Sequence, residues 1–431
     1  MYRYLKEFIV LVIFLPLAAG AQTYLSPQSI SLAQTSATQS RGANVIGWNP
    51  ANLGYPDQPG FSIEYGLIPL VPLPTVGVTN STISVAWYNE YFAPEKFLTS
   101  ERKEELVSAF PSSGLRFYQL LQARPIGLSF NHTAISVEAG AVGALTVPKP
   151  LFRFAFFGNE FDKPIALDDF HGEVQSVLSI AVAHGREVNL PVLSSFAHRT
   201  TAGFTVKPLI GLGYFGTESA EGSFMTSHES IDVSGTSKAI YAYKGFGLAV
   251  DAGVSAQISE QMWASLALNN LAGFIRWSKR NTRTYEYALE YNSTLDELTA
   301  GGDVAEQMIS VDTSYTSNRS VKTPYPTYLM AGFQYDLQPQ LSFYVNYKQG
   351  FMDRFDSSII PRVSIAAKYS PLQWLPLRVG LAGGGIHGFQ WGAGFGLEFN
   401  HYGLSLGFNQ SGGFFNHATG FAFALGQSIS F

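Results

Sequence analysis

The fold is decided by residues 389–431, FQWGAGFGLEFNHYGLSLGFNQSGGFFNHATGFAFALGQSISF. Three alternating runs follow one another there. Phe389, Trp391, Ala393, Phe395, Leu397 and Phe399 alternate with Gln390, Gly392, Gly394, Gly396, Glu398 and Asn400. Tyr402, Leu404, Leu406 and Phe408 alternate with Gly403, Ser405, Gly407 and Asn409. Phe421, Phe423, Leu425, Ile429 and Phe431 alternate with Ala422, Ala424, Gly426, Ser428 and Ser430, and only Gln427 breaks the pattern. Successive side chains of a strand point to opposite faces. Each run therefore has one large apolar face and one tiny or polar face.

A secreted two-layer sandwich would alternate as well. Glycine costs roughly 0.5–1 kcal/mol relative to alanine inside regular structure, so it suits a water-washed strand face poorly. It suits a crowded or water-lined lumen, with the aromatics turned outward into lipid. Phe423, Leu425, Ile429 and Phe431 form a closing strand ending in an aromatic, the form that outer-membrane assembly machinery reads.

Working outward, residues 1–21 read as a cleaved secretory signal. Arg3 and Lys6 precede an apolar stretch, and Ala19, Gly20 and Ala21 supply small residues before Gln22. As a membrane anchor the apolar stretch falls short of the roughly 20 residues a span needs. Cleavage would leave 25 Lys+Arg against 31 Asp+Glu, a net charge of about −6, which argues against a nucleic-acid partner. With no cysteine, disulfides and thiolate metal sites are excluded. Charged residues are 14%, below the usual ~25%, while aromatics reach 14%.

Residues 22–60 form a leader that contains Trp48, Asn49, Pro50 and Ala51. Pro50 fixes its own φ and keeps Asn49 out of the helical region. An Asn side chain bonds nearby backbone. The pair makes either an ordinary turn or a rigid bend leading inward. At this position the Asn-Pro-Ala element, with the aromatic before it, resembles the FadL/PorV-like outer-membrane barrels. Two further stretches resemble the same superfamily: Gly203 to Lys207, and Asn269-Asn270-Leu271 followed by Ile275-Arg276-Trp277. The resemblance implies an all-β, transmembrane antiparallel β-barrel of about 14 strands with an N-terminal lumen hatch, in the bacterial outer membrane. It implies a hatch at Trp48, Asn49, Pro50 and Ala51, no cofactor and no catalytic residues. The partners implied are the lipid bilayer, the barrel assembly machinery, and a hydrophobic small molecule or a secreted protein.

Residues 61–431 are expected to form the barrel. Phe61, Ile63, Tyr65 and Leu67 mark its first strand and Ile83, Val85 and Trp87 the next. Residues 100–109 read as a helix and 148–158 as a short helix at the barrel rim. Residues 126–137 read as one strand. Segment 279–322 reads as a long extracellular hairpin. Its Tyr285, Tyr287, Tyr291 and Tyr315 are candidates for ligand capture, since each has an apolar body and a polar tip; surface decoration is the alternative.

Eight histidines show neither a His-x-x-x-His nor a Glu-paired spacing, so no metal ligand set is proposed. His171 near Asp168 and Asp169 is the one local grouping a hydrolase could use, and a polar loop contact is the preferred reading of it. If the large residues face lipid, Asp251, Arg362, Lys368, Arg378 and Glu398 face the lumen. A lipid-side Arg or Lys at mid-depth would cost about 2–4 kcal/mol. They form either a salt-bridge ladder or, through an Arg fork, a carboxylate site for an amphipathic ligand. The expected function is passive uptake of hydrophobic or amphipathic compounds. A barrel that docks or shuttles secreted proteins, or scaffolds surface machinery, is the alternative.

Overall fold

The computed structural model describes residues 24–66, 73–92, 98–166, 168–192, 195–294, 311–316 and 319–431. Residues 1–21, read above as a signal, and most of the tip of 279–322 lie outside them.

The alternating runs close a sheet on itself. β1 (Phe61–Tyr65) and β2 (Thr75–Asn80) follow each other along one line of the wall. Both lie between β3 (Leu115–Phe130) and the last strand, β19 (Gly420–Ser430). From β3 the wall continues through β4 (Thr133–Val147), β6 (His171–Glu187), β7 (Arg199–Thr226) and β8 (Ser230–Ser259). β9 (Met262–Trp277) and β10 (Thr282–Thr294) share the next line, and β11 (Val311–Thr316), β12 (Val321–Pro324) and β13 (Tyr328–Gln338) the one after. β14 (Leu341–Gly350), β15 (Arg362–Leu372), β16 (Leu375–Gly384), β17 (Gln390–Phe399) and β18 (Tyr402–Ser411) lead back to β19. The short β5 (Ile165–Ala166) pairs with β7 beyond the end of β6, along the same line. The result is a closed antiparallel barrel of 14 strand positions. Closure removes sheet edges.

Closure assigns the two faces. Val363, Ile365, Leu377, Val379, Phe395 and Phe423 point outward and are 40–53% exposed. The small residues point inward. Among the described residues one closed sheet carries all the strands and no second sheet packs on the aromatic face, so the sandwich alternative is excluded. Gln427, the exception in the last run, accepts from the Tyr402 hydroxyl (2.5 Å) and donates to the Gly66 carbonyl (3.0 Å). It serves the wall where the first strand line is interrupted.

One rim carries short turns, at 131–132, 260–261, 339–340, 373–374 and 400–401, and also the 188–198 connection. The other rim carries the longer connections. Two differences from the sequence reading lie there and at a turn. Val85–Phe92 is a helix, not a strand, because Ser84 caps it by accepting from Trp87 N–H (3.1 Å). Residues 126–137 are two strands, because Asn131 takes a left-handed φ of 50° and turns the chain. The expected helices occupy Ser100–Ser108 and Lys149–Phe157. With Val85–Phe92 they share an apolar core built on Tyr91, Leu106, Phe110, Phe152 and Phe156.

Segment 279–322 does not stand alone. β10 pairs with β11 on one side and, along its whole length, with the upper part of β8 on the other. At 28 and 30 residues, β7 and β8 run far past the 9–11 that cross a bilayer. The four strands form one tall flap continuous with the wall.

A plugged lumen and its candidate ligand cavity

Residues 24–55 lie inside the barrel and are almost wholly buried. Helix Pro27–Ser31 packs on β16 to β19, the 3-10 turn Gly42–Val45 on β3 and β4, and the 3-10 turn Pro50–Gly54 on β6 to β8. The segment thus touches wall on opposite sides. The wall glycines face it: a Cβ at Gly407 would overlap Pro27, at Gly392 the Ile30 carbonyl, and at Gly203 and Gly185 the Pro50 carbonyl. The small face is crowded by the plug and is not washed by water. The glycines let two backbones meet.

The Asn-Pro-Ala element is bound to this wall. Asn49 is buried and extended (φ −148°, ψ 107°), and its Oδ1 accepts from Ala51 N–H at 3.0 Å. Its Nδ2 donates to Val254 O (3.2 Å) and Ser255 Oγ (3.0 Å) on β8. Ser255 Oγ in turn donates to Asn52 Oδ1 (2.9 Å), and Asn52 Nδ2 donates to Ala37 O (2.9 Å). Trp48 is 3% exposed and its carbonyl accepts from Asn269 Nδ2 (3.1 Å). The Tyr328 hydroxyl donates to Gly47 O (2.7 Å). Pro50 and Ala51 press on β6 and β7. Asn52 and Ser255 were not picked out from the sequence, although Asn52 stands three residues beyond Asn49; Asn269 was quoted there within the Asn-Asn-Leu stretch, without a role in holding the plug.

Two buried ionic clusters lie inside the barrel, the first between plug and wall and the second within the wall. Arg124 lies in a bulge of β3 beside Pro125, where a proline is tolerated because it forfeits no ladder bond. It pairs with Glu64 (3.0 Å) and Glu138 (2.8 Å), donates to Asn44 Oδ1 (2.7 Å) and covers the Tyr24 ring at 4.1 Å. Asp251 pairs with Lys207 at 2.7 Å, and both are buried. Asn270 joins them, donating its N–H to Asp251 (2.9 Å) and accepting from Lys207 (3.0 Å). Asn270 and Ala272 have φ of 55° and 51°, so the Asn-Asn-Leu stretch is a bulge within β9. Lys207 was legible: in the run 203–211 its parity is that of the small face.

The ladder expected from Arg362, Lys368, Arg378 and Glu398 separates. Arg378 pairs with Glu398 (3.1 Å) near the short-turn rim, and Lys368 sits opposite Arg378 without an ion pair among the described residues. Arg362 lies opposite Gly384, at the other end of the same strands. Register puts about six residues, some 20 Å, between them. Arg362 is 8% exposed and has no carboxylate partner among the described residues; it donates to Gln390 Oε1 (2.8 Å) and to the Ala33 carbonyl of the plug (2.7 Å).

Arg362 opens onto a small, partly open cavity of about 80 Å³, above the plug and towards the long-connection rim. Leu25, Ile30 and Gln34 of the plug form its floor, and Leu120, Val142, Phe355 and Ile360 its apolar sides. Gln390, Asn409, Ser411 and His387 stand beside Arg362. His387 Nδ1 and Asn409 Nδ2 are buried and find no hydrogen-bond partner among the described residues. His387 belongs to the turn 385–388, where Gly384, Gly385 and Gly388 have φ of 87°, 66° and 60°, a conformation that suits glycine alone. Burial pushes its imidazole down to about 4, opposed by nearby Asp356 and reinforced by Arg362 and Lys348, and its ring meets Tyr118 edge-on at 5.5 Å. The other half of the lumen, under β6 to β9, is filled by Val177, Leu209, Ile275, Trp277 and Tyr325.

The four tyrosines do not converge. Tyr285, Tyr287 and Tyr291 share one face of the flap and Tyr315 the other, where its hydroxyl donates to Glu286 (2.8 Å). Tyr287 and Tyr315 are exposed and Tyr291 is buried. At the closing strand Phe423 and Phe431 are exposed, Leu425 and Ile429 partly so; Phe431 exchanges backbone hydrogen bonds with Phe61 (3.1 and 2.8 Å). His171 is exposed at the start of β6, while Asp168 accepts from Gly222 N–H (2.9 Å), so the two form no dyad.

Residues 59–408 match a family described as of unknown function, DUF5723. No curated protein matches the sequence. Among solved structures the fold is similar to a FadL homologue of Pseudomonas aeruginosa (TM-score 0.51, 10% identity, 96% of this chain and 100% of that one). It is similar to the toluene transporter TbuX of Ralstonia pickettii (0.52, 12%, 96% and 99%) and to the monoaromatic hydrocarbon channel CymD (0.52, 11%, 96% and 99%). The barrel is of the FadL type.

Proposed function

This chain belongs to the DUF5723 family, and we propose that it is an outer-membrane channel for passive uptake of hydrophobic or amphipathic compounds. The observation that carries the reading is the cavity above the plug, apolar on floor and sides, with a buried guanidinium at its edge that has no carboxylate partner among the described residues. Its mixed lining, largely apolar with a few convergent polar groups, is that of a small-molecule site. An apolar body would rest on Leu25, Ile30 and Leu120. An acidic head group would be taken as a fork by Arg362. The fold shared with hydrocarbon channels supports the reading, as does the outward apolar belt, which suits a bilayer. On this orientation the short turns face the periplasm and the flap faces outward. Passage onward would require the plug to shift, with Trp48, Asn49, Pro50 and Ala51 as the part fixed most firmly. Transport would be downhill, without nucleotide or metal.

Uptake of a fluorescent alkyl carboxylate into vesicles containing the refolded protein tests this. Entry faster than in protein-free vesicles, abolished by a bulky group in the cavity, is expected; entry at the protein-free rate overturns the proposal. The flap favours a second reading, a docking barrel for secreted proteins. A stoichiometric protein partner on purification from native membranes, with no lipid-like molecule in the lumen, would support that reading instead.

A further inference from the structure

Loop 351–361 joins β14 to β15, yet it does not stay at their side of the barrel. Arg354 donates through Nε to both carboxylate oxygens of Glu173 on β6, each at 3.1 Å, and through Nη1 to Pro324 O at 2.5 Å. Between β6 and β14 lie β7, β8 and the lines of β9–β10 and β11–β13, so the contact spans the lumen mouth. The Tyr214 hydroxyl donates to the same Glu173 carboxylate (3.0 Å), which fixes its position. The next residue, Phe355, is 3% exposed, lines the cavity, and has a φ of 54°. A left-handed aromatic residue is rare and persists only where its surroundings over-determine it. Here the determinants flank it: Arg354 on Glu173, and Asp356 paired with Lys348 at 3.5 Å. Phe351, Ile359 and Ile360 at the base of the loop stay exposed on the rim.

We propose that loop 351–361 is a lid on the ligand cavity, with Phe355 as its wedge and the Arg354–Glu173 pair as the latch that must part for a compound to enter. As regulation of the cavity it rests on the uptake reading, but its central test does not. The chain has no cysteine, so Thr79→Cys, on the inward face of β2 opposite Tyr118, places one reporter thiol on the cavity wall. Intact cells are treated with a membrane-impermeant maleimide. Removing one partner of a largely buried pair, discounted for its partial exposure, should raise the labelling rate roughly tenfold in Glu173→Gln and in Arg354→Gln. The swap Arg354→Glu with Glu173→Arg should bring it back towards the parent. Unchanged labelling in both single variants, each verified as a closed barrel by heat-modifiability, overturns the lid.

A second measurement bridges Arg354→Cys and Glu173→Cys with a cleavable thiol cross-linker. Uptake of the fluorescent alkyl carboxylate should stop, then resume on cleavage; uptake that continues through the bridge overturns the latch. If the parent takes up no probe, the channel reading fails while the labelling result still decides the lid.

Discussion

Asn49 and Ser255 stand 206 residues apart in the chain, and the Asn49 amide donates to Ser255 Oγ at 3.0 Å inside the barrel. The bond belongs to a chain of polar contacts through Asn52 that ties the N-terminal segment to β8. Replacing Asn49 by Ala should cost about 1–3 kcal/mol locally, since it strands buried polar partners. Amide exchange of residues 47–55 should rise while that of β17 to β19 is unchanged. Equal protection in parent and variant would mean that packing alone holds the plug.

The wall glycines give a test of what crowds the lumen. Gly407→Val would push a side chain into Pro27, whereas Gly383→Ala meets no atom within 4 Å. In planar bilayers the first should raise ion conductance by dislodging helix Pro27–Ser31, and the second should not. Silence from Gly407→Val would show that the plug does not seal the pore there.

Asp251→Ala would leave Lys207 charged and buried without its carboxylate. Such a break costs about 3–5 kcal/mol, whereas replacing both partners by apolar residues of similar volume is often close to neutral. Denaturant titration of the heat-modifiable band should rank parent, Lys207→Met with Asp251→Leu, and Asp251→Ala in falling order. A double variant as unstable as the single one would contradict this account.

Arg362→Gln keeps a hydrogen-bonding polar end, on a shorter side chain, but removes the charge. Affinity for an alkyl carboxylate should fall by about tenfold or more, the loss of one charge-assisted bond, while that for the matching alcohol stays within about twofold. Parallel losses for both would assign Arg362 to the wall rather than to a ligand.

The His387 imidazole is held to about 4 by burial, below its ordinary 6.5. An opened turn takes up a proton that the closed turn refuses. The closed turn should therefore be most stable above pH 6.5, lose stability as pH falls towards 4, and change no further below that. Amide exchange of residues 385–389 should be faster at pH 4.5 than at pH 7, after correction for intrinsic rates. His387→Gln should remove the dependence.

The sequence alone determined the barrel, because strand geometry has a period of two and side chains of opposite size on the two faces declare which is inside. Helix Ser100–Ser108 was legible for a similar reason: its signals are local. Parity also placed Asp251, Arg362 and Arg378 on the small face. What parity could not supply was height and partner. Arg362 and Arg378 share a face yet lie at opposite ends of it, and Lys207, Arg124 and Glu173 find their partners on other strands or across the lumen. The Val85–Phe92 helix turned on a single serine cap, too weak a signal against a β-rich context. Pairing register and loop path arise from contacts between residues far apart in the chain. The plug's attachment, the cavity and the loop across its mouth were therefore decided only when the sheet closed.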